Sequence, residues 1–130
     1  MKRTFLMSGA LLGLLGIILG AYAAHGLEKI ADLDAVDSFE TGVRYQMYHA
    51  FFFLFMGIWD GLARTAQKIL FWIIWVGLIF FSGTIYLLVM GKVWSMNLSF
   101  LGPVTPLGGL LLISGWVFLG YHILTQKSVK

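Results

Sequence analysis

The chain has 130 residues, of which 59% are hydrophobic and only 12% charged, with a mean hydropathy of +0.87. It is short for a second domain and too apolar to cover a core with polar surface, which leaves the bilayer as its solvent. It has no cysteine, so disulfides, thiolate metal sites and thiol catalysis are excluded, and its net charge of +3 sits at the ends of apolar runs and not in a nucleic-acid-binding patch.

The first apolar run, residues 5–24, carries no charge. Its length corresponds to ~30 Å of helix, the thickness of the hydrocarbon core. Met1-Lys2-Arg3, the apolar run and Ala21-Tyr22-Ala23 share features with a cleavable secretory signal. Two features favour a retained span. The run is longer than a usual signal core, and Gly9, Gly13, Gly16 and Gly20 recur on one helical face. Such a groove of small residues lets another helix approach closely.

A polar stretch over residues 28–41 holds five of the six acids. Asp34 and Asp37 suit an N-cap, and Asp37 with Glu40 has the form of a capping box, so the second helix is expected to begin here. Its apolar part is expected over 43–59. At 100° per residue, Gly42, Gln46, His49, Phe53 and Gly57 share one face. Arg44, Tyr48, Phe51 and Phe55 lie nearly opposite. The first face is small and polar and should point into a bundle.

Residues 60–68 read as a short polar loop. The third span is expected over 69–90 and carries Ser82 and Tyr86 one turn apart, with Gly83 beside them. Residues 91–106 read as an irregular loop, since Pro103 and Pro106 oppose a regular helix interior. The last span is expected over 107–124, with Gly108 and Gly115 on one close-packing stripe. The fold expected is all-α: one integral membrane domain of four transmembrane helices in an up-down antiparallel bundle. Tyr22, Tyr45, Trp59, Trp72, Trp94 and Tyr121 near the run ends fit an aromatic belt.

Four spans place both termini on one side, with Lys2, Arg3, Arg64, Lys68, Lys127 and Lys130. Lys29, Arg44 and Lys92 lie towards the other. This bias predicts cytoplasmic termini. Arg44, Gln46, His49, Ser82 and Tyr86 then fall in the outer half as a candidate polar intramembrane cluster, with His25 and Thr105 as weaker members. Polar groups at this depth are functional candidates, although they also serve as interhelical glue. Arg44 has two readings: snorkelling to the outer headgroups beside Glu40, or turning inward to hold an anion.

No close carboxylate pair, nucleotide loop or histidine metal motif is present, so no catalytic residue, metal or cofactor is assigned. The residues favour a non-enzymatic membrane protein that associates through its helices with itself or with a membrane protein partner. The alternative is a small-solute transporter or channel subunit using the polar cluster. No nucleic-acid partner is expected, and the lipid bilayer is the expected surroundings.

Several blocks carry a family resemblance: residues 24–27 (AHGL), 39–50 (FETGVRYQMYHA), 81–88 (FSGTIYLL), 104–109 (VTPLGG) and Gly115-Trp116. Together they resemble family 423 among the domains of unknown function, which includes bacterial membrane proteins and the eukaryotic transmembrane protein 256. The resemblance covers almost the whole chain in order, and the R-Y-Q-M-Y-H block is quite specific. Gly42 departs from it, standing where the family is expected to favour alanine. The resemblance implies a multi-pass protein of the cell membrane. It implies no activity and carries over no catalytic residue.

Overall fold

The structure is a computed structural model, and it describes residues 1–126. Lys127 and Lys130, counted in the charge bias, lie outside the described residues. The helices are α1 (Lys2–His25), α2 (Leu33–Ile58), α3 (Arg64–Leu78), α4 (Thr84–Val93) and α5 (Val104–Thr125). A π-turn, Ile79–Gly83, joins α3 to α4, so the two make one continuous span.

The bundle runs up and down. Antiparallel packing of α1 and α2 is fixed by contacts from Leu6–Gly57 at one end to Gly20–Val43 at the other. Phe5 meets Phe71 and Tyr22 reaches Met90, so α1 and the α3–α4 span run in the same direction. Along α3, α5 returns antiparallel, with Gly115 on Ile74 and Gly77 on Leu112. The N-terminus, the 59–63 connection and the end of α5 thus share one end of the bundle, here the terminal end. The two connections at 26–32 and 94–103 make the loop end.

Three helical stretches, Lys2–Lys29, Arg64–Val93 and Ser99–Thr125, are long and apolar enough to cross a membrane. The second helix, α2, is less apolar because it carries the acidic N-terminal turns, Arg44, Gln46 and His49. It nevertheless crosses with α1, against which it packs along its apolar length. Its polar residues are tolerated because Gly42, Gln46, His49, Phe53 and Gly57 are buried, whereas Arg44, Tyr48, Phe51 and Phe55 are exposed.

Helix boundaries differ from the sequence expectations in three places. The N-cap of α2 is Asp32, whose carboxylate accepts from the Ala35 N–H at 2.7 Å. Asp37 lies inside the helix, where its carbonyl accepts from the Thr41 hydroxyl at 3.1 Å, so it forms no capping box. The helix starts earlier because Ala35 and Phe39 bury against Ala23, Leu27 and Val89, and this packing rewards the extra turn. Residues 64–68, expected in a loop, form the first turn of α3, and Lys2 clasps Asp60 across the terminal end. The long loop after the third span is shorter than expected. The α4 helix continues to Val93 and ends in a Schellman cap, with Met96 N–H bonded to Gly91 O at 2.8 Å and Ser95 at φ 56°. Pro103 is the N-cap of α5 and Pro106 sits in its first turn, where no intrahelical N–H is needed.

The π-turn has a packing cause. A Cβ on Gly108 would clash with the backbone nitrogen of Phe81 and the carbonyl carbon of Phe80, so the backbone of α5 rests directly on the backbone of the π-turn. Backbone cannot yield as a side chain can. Gly108→Ala is expected to destabilise the bundle by at least about 2 kcal/mol. Gly120→Ala, which meets nothing within 4 Å, should stay within about 0.5 kcal/mol of the parent. Thermal unfolding of the two variants in one detergent checks the contrast.

Candidate functional site

Besides a Trp75 indole N–H donated to the buried Ser8 hydroxyl at 3.2 Å, the interior polar residues fall into three groups. The first centres on Gln46, which is buried opposite Leu12, near the middle of the α1 apolar run. Its Nε2 donates to Leu12 O at 2.9 Å, and its Oε1 accepts from the Tyr86 hydroxyl at 2.8 Å. Ser82, in the π-turn, donates to Gly42 O at 2.7 Å. One side chain of α2 thus binds both the backbone of α1 and a side chain of α4, and α2's own backbone accepts from the adjoining π-turn.

Local sequence explains this arrangement. With no side chain of its own, Gly42 lets Tyr86 lie over it. A Cβ there would come within 2.8 Å of Tyr86 Cε1, so alanine at this position would push the ring that Gln46 holds. Phe39 packs on Tyr86 with ring centroids 4.8 Å apart and on Tyr22 at 5.9 Å. These three rings close the cluster towards the loop end. A small cavity of about 130 Å³ beside the cluster is lined by Leu12, Gln46, Trp75, Ile79, Ser82 and Tyr86.

The second group is a histidine–tryptophan pair. His49 Nδ1 is 2.7 Å from Tyr45 O, and Trp116 Nε1 is 3.2 Å from His49 Nε2. A carbonyl can only accept and an indole N–H can only donate. His49 is therefore the neutral tautomer with its proton on Nδ1, and both ring nitrogens are occupied. The third group joins Thr84 to Thr105, with their hydroxyl oxygens 2.6 Å apart.

The cluster read from the sequence is therefore divided. Gln46, Ser82 and Tyr86 converge. His49 lies on the α5 side of α2 and pairs with Trp116, a partner that periodicity does not reveal. Thr105 joins Thr84 in a separate contact. Arg44 is exposed on the outside of α2 and forms no ion pair with Glu40, and His25 is exposed at the loop end of α1. Among the described residues, every buried side-chain nitrogen and oxygen has a hydrogen-bond partner. The six packing glycines face other helices of the same chain. Gly9 and Gly16 meet α2 tightly, Gly13 and Gly20 meet it at ordinary distance, and Gly108 and Gly115 meet the third span.

A helical bundle of this length and hydropathy, with its polar groups bonded inward, defines a small multi-pass membrane protein. The chain belongs to the family described as Protein of unknown function (DUF423), which matches residues 19–109. It is 37% identical to a UPF0382 membrane protein of Staphylococcus aureus over 90% of this chain and 92% of that relative. It is also 37% identical to the UPF0382 membrane protein YwdK of Bacillus subtilis (90% and 93% covered). A Haemophilus influenzae UPF0382 membrane protein is 34% identical over 99% of this chain and 100% of its own length. No solved structure matches the chain significantly.

The Gln46–Tyr86 hydrogen bond can be isolated by a double-mutant cycle. Gln46→Leu and Tyr86→Phe are each expected to destabilise, and the pair should show a coupling energy of about 1 kcal/mol, the scale of interhelical hydrogen bonds in membranes. Unfolding equilibria of the four proteins in mixed micelles provide the measurement.

Proposed function

We propose that the protein works by lateral association in the membrane, two copies pairing through the outward face of α2. One observation carries this reading: the stripe Glu40, Arg44, Tyr48, Phe51 and Phe55. Tyr48 is 53% exposed, Phe51 64% and Phe55 56%. Phenylalanines facing lipid need no explanation, but the polar members do. Glu40 and Arg44 are unpaired among the described residues although one turn separates them. Tyr48 follows Gln46 by two residues along α2, and among the described residues its hydroxyl has no hydrogen bond. A polar group left in hydrocarbon without a partner costs free energy.

Two copies inserted in the same sense, related by a two-fold axis along the membrane normal, set their α2 helices parallel. Like residues then face each other across the axis, so the Tyr48 rings meet, and each Arg44 spans one turn, ~6 Å along the helix, to reach Glu40 of the other copy. The surface is self-complementary, as a two-fold interface requires. Transport through the Gln46 cluster draws less support. Its cavity of about 130 Å³ is small beside the ~300 Å³ or more of typical ligand pockets. Its polar atoms are bonded to one another. The glycine stripes are engaged within the chain, so they do not supply the interface.

We further read the protein as residing in the cell membrane with both termini cytoplasmic, on the bias of six basic residues against three. The loop end then faces outward.

The native chain has no cysteine, so single replacements report cleanly. Tyr48→Cys and Phe51→Cys should form a crosslinked dimer on oxidation in native membranes, while Ile113→Cys on α5 should not. Monomer alone for all three would overturn the pairing. Arg44→Glu and Glu40→Arg should each weaken the Tyr48→Cys crosslink, and the charge-swapped double variant should restore it. For orientation, an added cysteine at Met96 is expected to react in intact cells with a membrane-impermeant maleimide, whereas one at Ala63 should react only after lysis.

A further inference from the structure

A second face of α2 borders a cleft that the reading above does not use. The helices α2 and α5 meet where Trp116 packs on His49 and Phe52. From there to the loop end, the space between them is open and floored by the third span. Two cavities lie in it. The deeper one, of about 490 Å³, is lined by Tyr45, Phe81, Gly109, Leu112 and Trp116. The shallower one, of about 440 Å³, is lined by Ser38, Ile85, Val89, Lys92 and Thr105. Phe81 and Ile85 are one turn apart, as are Thr105 and Gly109, so the two cavities follow each other along one groove.

The groove has the length of one membrane leaflet. Thr105 to Trp116 covers ~16 Å at ~1.5 Å per residue, about half of the ~30 Å hydrocarbon core. Its walls are almost entirely apolar below Thr105. At its mouth the chemistry changes. Lys92 borders the shallower cavity and also a third, of about 130 Å³, which it shares with Asp32. These two opposite charges border one small space without forming an ion pair. One oxygen of Asp32 caps Ala35, which leaves the other for a ligand. A head carrying a single negative charge would answer Lys92 but meet Asp32 and the neighbouring acids Asp34 and Asp37. A head carrying both a phosphate and an ammonium answers both groups.

We propose that this cleft binds one zwitterionic phospholipid of the loop-side leaflet, with its phosphate at Lys92, its ammonium at Asp32 and one acyl chain along α5 down to Trp116. The apolar groove sets the chain's depth, and the charge pair at the mouth selects the head. The groove and the Arg44–Tyr48 stripe occupy adjoining faces of α2, where Tyr45 of the groove meets Tyr48 of the stripe with ring centroids 5.6 Å apart.

The test is native mass spectrometry of the full-length protein in maltoside micelles, titrated with phosphatidylethanolamine or with phosphatidylglycerol of the same acyl chains. The parent should retain one phosphatidylethanolamine at least ten-fold more tightly than phosphatidylglycerol. Asp32→Asn keeps the N-cap, since asparagine caps equally well. It should remove that preference while leaving phosphatidylglycerol bound. Lys92→Gln should weaken both lipids. Gly109→Leu projects a side chain into the groove, where a Cβ finds its nearest neighbour at 3.7 Å, and should abolish retention of both. Circular dichroism and the α2 crosslink serve as controls that the variants fold. Equal retention of the two lipids by the parent overturns the head assignment. A folded Gly109→Leu protein that keeps its lipid overturns the cleft itself.

Discussion

One amide holds the centre of this bundle. Gln46 spends its N–H on the carbonyl of Leu12 and its oxygen on the hydroxyl of Tyr86. In water such bonds exchange with solvent at little net gain. In hydrocarbon there is no solvent to replace them, so each lost partner leaves an unsatisfied group. The amide therefore fixes how far α2 is rotated about its own axis. That rotation decides which of its residues meet α1, which meet the third span and which meet lipid.

The small residues make the same constraint possible. Gln46 reaches the backbone of α1 only because Gly9 and Gly16 let the two helices come close, and the Tyr86 ring lies against α2 because Gly42 puts no side chain in its way. On the other side of the bundle, Gly108 lets α5 rest on the π-turn. The extra residue in that turn rephases the helix at Ser82, so that Ser82 can face α2 while Phe81 faces α5. Glycine contacts and buried hydrogen bonds are in this sense one device, since close backbones bring carbonyls within reach of short polar side chains.

Once the interior is closed in this way, the surfaces left over acquire meaning. The outward face of α2 keeps an exposed tyrosine and two charges that are unpaired among the described residues. The cleft between α2 and α5 keeps a lysine and an aspartate at its mouth. Neither lies in the polar interior, where hydropathy analysis directs attention. Both are places where a charged side chain meets the membrane without an ion-pair partner among the described residues.

The solvent, the number of spans, their alternation and the buried face of α2 were all legible in the residue order, because they follow from apolar length and from a 100° period along a single helix. Gln46, Ser82 and Tyr86 were legible as interior polar residues for the same reason. The tertiary structure alone decided their partners. Gln46 and Tyr86 are 40 positions apart, and His49 and Trp116 are 67 apart. Which of them meet depends on how four helices are rotated and offset against each other. Arg44 was ambiguous for a related reason, since a long side chain near a span end can turn either way until the neighbouring helix is placed. The Asp32 cap and the π-turn were hidden too. Each is set by what the adjoining turn packs against, namely Ala23 and Leu27 for the first and Gly108 for the second, and a local pattern of residue types carries no record of that contact.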